Sequence, residues 1–144
     1  MEAIQMSLTT TVETFFEAYR RQDIDAMLAC FSDGGTIHYV PVGLDGSARQ
    51  QGVAIWTGLI NVFPDLTNRI MALYAGDDGR SVTVEIMISG TQAKDGFDIP
   101  NLGKRFELPH AFIVTGSPDG GIDRMTAYWD NAAWFTMLGK TTLA

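Results

Sequence analysis

The hydrophobic period of this chain changes once, between Phe63 and Arg69. Before that point apolar residues recur at helical spacing. Val12, Phe15, Phe16 and Tyr19 form one i, i+3, i+4, i+7 stripe, and Trp56, Leu59, Ile60 and Phe63 form another. Between them Ile24, Met27, Leu28 and Phe31 share a face of a shorter helix that Asp23 starts. Thr10 with Glu13 reads as a capping box for the first helix, and Pro64 ends the third. Ser32-Asp-Gly-Gly35 breaks the second, Thr36 to Val40 reads as a short strand, and Leu44 to Gln50 as a polar loop. After the change the chain is strand-like. Arg69 to Ala75, Ser81 to Thr91, Lys104 to Thr115 and Ile122 to Tyr128 are rich in β-branched and aromatic residues. The turn signals Asp77-Asp-Gly79, Lys94-Asp-Gly96 and Ser117-Pro-Asp-Gly-Gly121 separate them. Helices first and closely linked strands second predict an α+β fold with an antiparallel meander.

The 144 residues suit one domain, spanning residues 1–144, and 46% apolar content supplies a core. The net charge of −7, from 17 acidic and 10 basic residues, argues against binding nucleic acid, which needs clustered Lys and Arg. No apolar stretch is long enough to span a membrane, and Met1 to Gln5 lacks the basic start of a secretory signal. With Cys30 alone no intrachain disulfide forms, and a cytoplasmic location is expected. Two histidines without metal-ligand spacing, and no glycine-rich phosphate loop or serine elbow, predict chemistry without a metal or cofactor. The available groups are His, Asp, Glu and Tyr.

Among these Asp130 stands out. It closes the strand ending Tyr128-Trp-Asp130 and precedes a helical run, Asn131 to Leu138. A carboxyl behind two aromatics at a sheet rim suits a general acid or base, and Asp is equally a favoured N-cap. Helices laid on a curved sheet leave a wedge, and a wedge lined by Phe, Trp, Met and Tyr suits an apolar small molecule, although aromatics at helical spacing are more often plain core. The connection Ala93 to Gly103, carrying Phe97, Ile99 and Leu102, is apolar enough to be a flap. Glu85, in an otherwise apolar strand, reads either as a third active-site carboxylate or, more in keeping with a sheet, as a partner of Arg69, Lys104 or Arg105. Asp65 is expected to serve a turn and Cys30 to fill core.

The order helix, helix, Phe31-Ser-Asp-Gly, strand, helix with Phe63-Pro-Asp-Leu66, then Ser-Gly-Thr91, Gly103-Lys-Arg and Tyr128-Trp-Asp130 resembles the SnoaL-like polyketide cyclases. These sit within the ketosteroid-isomerase and nuclear-transport-factor-like superfamily. The resemblance covers nearly the whole chain. It implies a cone-shaped half-barrel, a curved and mostly antiparallel sheet wrapped around the N-terminal helices, with a pocket at the wide end. It also implies a general acid/base role for Asp130 and an assisting role for His110 in an intramolecular aldol closure. Gln92 stands where many members carry a histidine, so a mechanism needing that histidine does not transfer. The expected reaction is cofactor-free proton transfer, of the aldol cyclase or isomerase type, on an apolar carbonyl compound. Asp130 would be the base, with His110 or Tyr39 donating to the oxygen that gains charge. A nearby carboxylate would favour the charged form of His110.

If Asp130 faces the cavity, Tyr128 and Thr126 share its side and Trp129 points away. If His110 faces in, so do Leu108, Phe112 and Val114. On the first strand His38 is the expected inward residue. The expected ligand contacts are therefore Tyr19, His38, Trp56, Phe63, Phe112 and Tyr128. Two other readings compete: a non-catalytic ligand-binding or dimerisation module, and an epoxide hydrolase, which would need an Asp-Arg-Asp set around a water. The outer sheet face carries Met87, Ala111 and Ile113, which suggests a homodimer.

Overall fold

A computed structural model describes residues 7–117 and 120–141. The reading of Met1 to Gln5, and the Pro118-Asp119 part of the last turn, lie outside the described residues.

Helix α1 (Leu8–Arg20) turns Val12, Phe15, Phe16 and Tyr19 inward, as their spacing requires. Its cap is Ser7, whose hydroxyl accepts from the Thr10 amide at 3.2 Å, so the helix begins a turn earlier than the Thr10–Glu13 capping box expects. Asp23 caps α2 (Ile24–Ala29) through the Ala26 amide at 3.0 Å. Helix α3 (Val53–Val62) follows a short π-helical turn at Ala48–Gly52 and stops at Phe63, ahead of Pro64.

Strand β1 runs Phe31–Tyr39 and begins earlier than expected. Its register against β6 (Ile122–Trp129) shifts between Phe31 and Thr36, so an irregularity absorbs Ser32 to Gly35 in place of a break. The Leu44 to Gln50 segment holds a short edge strand, β2 (Leu44–Ser47), paired antiparallel with β1. The remaining strands are β3 (Thr67–Ala75), β4 (Ser81–Thr91) and β5 (Arg105–Gly116). The order across the sheet is β2-β1-β6-β5-β4-β3. Strands β3 to β6 form the expected antiparallel meander, and β1 joins β6 in parallel. The result is an α+β fold: a curved, unclosed six-stranded sheet wrapped on the N-terminal helices.

One apolar core lies between the helices and the concave side of the sheet. Edge-to-face aromatic pairs fill its closed end, with Phe15 5.0 Å from Phe16 and 5.5 Å from Trp56 between ring centroids. Helix α4 (Asn131–Met137) follows β6 and sets Trp134 against Phe63, Phe97 and Phe106. The connection between β4 and β5 folds back so that Phe97 meets Trp134. Gln92 is buried at its base, and its amide donates to the Lys94 and Ile99 carbonyls at 3.1 and 2.8 Å. Phe97 and Ile99 turn inward from it, while Leu102 stays exposed. Asp65 serves its turn by accepting from the Thr91 amide at 2.6 Å. Cys30 is buried in the core, its thiol pushed up to about 11 by burial. Glu85 is exposed and forms none of the ion pairs among the described residues.

Candidate functional site

A cavity opens where the helices diverge from the concave face. Its volume is about 60 Å³, more than a single water needs. Tyr19 of α1, Tyr39 of β1, Ile55 and Leu59 of α3, Ile88 of β4 and Trp134 of α4 line it. So do Phe106, Leu108, His110 and Phe112 of β5, Trp129 of β6, and Phe97 from the β4–β5 connection. No carboxylate and no arginine is among the lining residues.

Strand alternation delivers the β5 wall. Phe106, Leu108, Phe112 and Val114 are buried, His110 shares their side, and Glu107, Pro109 and Ile113 point out. The His110 ring lies nearly parallel to Phe112, with centroids 6.0 Å apart, and 5.1 Å from the Trp129 ring. Its Nδ1 is 3.0 Å from the Leu108 carbonyl. A carbonyl only accepts, so Nδ1 carries the ring proton and Nε2 keeps its lone pair. Burial lowers the pKa of His110 to about 4, against a smaller upward effect of the Leu108 carbonyl. The ring is therefore neutral at pH 7. The charged form expected from a nearby carboxylate is absent because desolvation outweighs any attraction. His110 and Asp130 approach no closer than the 4.0 Å limit of an ion pair.

Asp130 is exposed, and its Oδ1 accepts from the Ala133 amide at 2.9 Å, capping α4. It lies outside the cavity, beside a shallow groove on the convex face that it shares with Tyr128, Pro109 and Glu85 and that also touches His110 and Trp129. Strand β6 takes the opposite register to the one that would aim Asp130 inward. Met125 and Ala127 are buried, Trp129 lines the cavity, and Tyr128 is 45% exposed on the convex side. The apolar alternation Met125, Ala127, Trp129 against Arg124, Thr126, Tyr128 carries that signal in the sequence.

The same correction applies on β1. Ile37 and Tyr39 are buried, and His38 faces the convex side, where its Nδ1 accepts from Arg124 Nη2 at 3.1 Å. Arg124 also donates to Thr36 Oγ1 and lies 3.6 Å from Asp45. A polar cluster that can face water is the better home for His38. Trp56 and Phe63 are fully buried in the core and do not line the cavity. Of the expected contacts, Tyr19 and Phe112 line the cavity, together with His110, the expected assisting group, and Tyr39, the alternative donor. Trp129, Trp134 and Phe97 line it as well. Among the described residues no group of three His, Cys, Asp or Glu side chains is placed to hold a metal ion. No helix among them is long and apolar enough to cross a membrane.

A curved, unclosed sheet wrapped on helices in this topology is an α+β scaffold that hosts many activities. The chain belongs to the SnoaL-like domain family, whose profile matches residues 12–125. Among solved structures, a candidate SnoaL-like polyketide cyclase from Jannaschia sp. CCS1 superposes with a TM-score of 0.82 at 18% identity, over 99% of this chain and 97% of its own. SalBIII, an epoxide hydrolase/cyclase-like enzyme with a role in pyran ring formation in polyether salinomycin, is 25% identical. Its TM-score is 0.70, over 88% of this chain and 92% of its own. A protein of ketosteroid isomerase-like fold from Catenulispora acidiphila DSM 44928, in complex with trimethylamine, reaches 0.74 at 18% identity, over 90% and 92%. No curated protein matches the chain.

Proposed function

We propose that this protein binds a compact apolar carbonyl compound in the cavity and moves a proton on it without a cofactor. One observation carries the reading: the single imidazole lining the cavity is neutral, with Nδ1 pinned to the Leu108 carbonyl and Nε2 left with its lone pair. Such a ring accepts a proton from the carbon beside a carbonyl, leaving an enolate. It holds that proton weakly, so it returns it readily to the ligand or to a neighbour. Asp130 assists the step from outside the cavity, beside the convex-face groove that touches His110. The cavity wall, without arginine or carboxylate, does not support epoxide hydrolysis.

The test is deuterium incorporation at the α-carbon of apolar cyclic ketones in deuterated buffer, followed by NMR. Wild-type protein is expected to accelerate it, and His110→Gln to lose about 10²- to 10⁴-fold of that acceleration, the usual worth of a positioned base. Asp130→Asn, which keeps the helix cap, is expected to slow exchange about tenfold or more. Exchange at the wild-type rate in His110→Gln overturns the assignment. A second reading, a non-catalytic binding module, is favoured by the capping bond from Ala133 that engages Asp130. Ketone binding without exchange at any pH from about 5 to 9 would select it.

A second copy of the chain is part of the proposal. Met71, Tyr74, Ile113 and Tyr128 are between 42% and 56% exposed, large apolar side chains on a surface that pairing of two sheets would cover.

A further inference from the structure

We infer that Trp129 is a movable wall of the cavity, latched by Asn131, and that this latch sets the size of ligand the cavity takes. The inference deepens the proposed function and rests on its premise that an apolar molecule binds in the cavity.

A dry apolar cavity of about 150 Å³ holds benzene. At about 60 Å³ the present cavity is too small for a ring of that size, so a wall must yield before a cyclic ligand enters. Much of the wall is held in place. Phe106, Leu108 and Phe112 are buried in the core, and Tyr39 is tied to the Trp56 indole at 2.9 Å. His110 and Trp129 differ, because both border the convex groove as well as the cavity. Their rings, with centroids 5.1 Å apart, stand between the two spaces.

Of this pair Trp129 is the one placed to move. His110 sits inside β5, paired with β4 on one side and β6 on the other, and its ring is pinned to the Leu108 carbonyl. Trp129 is the last residue of β6. It pairs with His110 on one side, and on the other β1 has already stopped at Tyr39, opposite Ala127. The chain then turns at Asp130 into α4. Asn131, the first residue of that helix, accepts the Trp129 indole N–H on Oδ1 at 3.0 Å. An indole has that one donor and no acceptor, so a single hydrogen bond fixes the ring beyond its packing on Tyr39 and His110.

A swing toward the groove breaks that bond and hands the N–H to water. Exchanging one neutral hydrogen bond for another shifts an equilibrium only a few-fold. The penalty falls on ligands large enough to displace the ring and spares smaller ones, so the latch discriminates by size. The space vacated lies against His110, which puts the added bulk of a larger ligand beside the imidazole.

The probes are butanone, smaller than a benzene ring, and 1-indanone, which is larger. NMR titration gives the affinities, and exchange of the Trp129 indole proton with water reports the position of the ring. Bound 1-indanone is expected to speed that exchange about threefold or more. The Trp56 indole, bonded to Tyr39 in the core, is expected to keep its rate. Asn131→Leu keeps the size of the side chain and removes the acceptor. It is expected to speed Trp129 exchange in the free protein, and to raise affinity for 1-indanone relative to butanone about threefold or more. Asn131→Asp keeps an acceptor and is expected to hold the wild-type ratio. An unchanged ratio in Asn131→Leu, or an unchanged Trp129 exchange rate with 1-indanone bound, overturns the latch while leaving the cavity as a binder. Failure of wild-type protein to bind either probe removes the cavity reading itself and the latch with it.

Discussion

A histidine buried in its neutral form makes stability depend on pH, and His110 does so in a predictable direction. Its folded pKa, about 4, lies below its ordinary value of 6.5 because burial disfavours the charged ring. Between those values the unfolded chain binds the proton and the folded one does not, so protonation favours unfolding. The contribution is fully present above about pH 6.5 and is lost as pH falls toward 4. The urea midpoint of wild-type protein is expected to drop more steeply across that window than that of His110→Gln. Parallel midpoints in the two proteins would contradict the burial account. His110 was readable from its neighbours, because Leu108, Phe112 and Val114 share its side of one strand. His38 does not take the inward place expected of it, and the reason lies in Arg124. A cation 86 positions away in sequence meets His38 on the convex side, and no local pattern announces that contact.

At the scale of elements, α4 shows how one residue type serves two purposes. Asp130 caps the helix, and an N-cap removed to alanine costs about 1 kcal/mol. Asp130→Ala is therefore expected to lower stability by about that amount, and Asp130→Asn to hold it within a few tenths. Chemical denaturation measures both, and equal losses would show that the carboxylate matters through charge and not through capping. The flanking strand explains why an inward reading of Asp130 fails. Strand β6 ends at Trp129, so alternation fixes Tyr128 and Trp129 but no longer aims Asp130. The helices and β3 to β6 were legible because their apolar periods are long. Strand β2 was not, since four residues, Leu-Asp-Gly-Ser, carry no period and become a strand only by pairing with β1. The apolar content of the β4–β5 connection is legible in the sequence, but the place of Phe97 on the cavity wall is not. Phe97 and Asp98 adopt φ of 54° and 59°, a left-handed pair of non-glycine residues held by contacts such as that of Phe97 on Trp134.

For the whole molecule, the convex face is the unresolved demand of the architecture. The helices cover only the concave side, so Ile113 of β5 and Tyr128 of β6 face solvent. If two copies meet there, Ile113→Lys is expected to give a monomer in sedimentation, with the far-ultraviolet circular dichroism unchanged. A wild-type protein that sediments as a monomer at tens of micromolar, a range where a standard-sized interface holds, would remove the dimer. The sequence alone determined the class of fold. A single change of hydrophobic period sorts helices from strands, and burial of the two resulting apolar faces against each other leaves few arrangements. It also placed His110 on the same side of one strand as Leu108, Phe112 and Val114, without saying which side faces in. Only the tertiary structure decided which side of β1 and β6 faces inward, and so put Tyr39 and Trp129 in the cavity with His38, Tyr128 and Asp130 outside it. The physical reason is the two-residue period of a strand. A choice between two faces is settled by what packs against each, and here Tyr39 meets Trp56 of α3 and Phe112 of β5 while His38 meets Arg124 of β6, all distant from β1 in the chain.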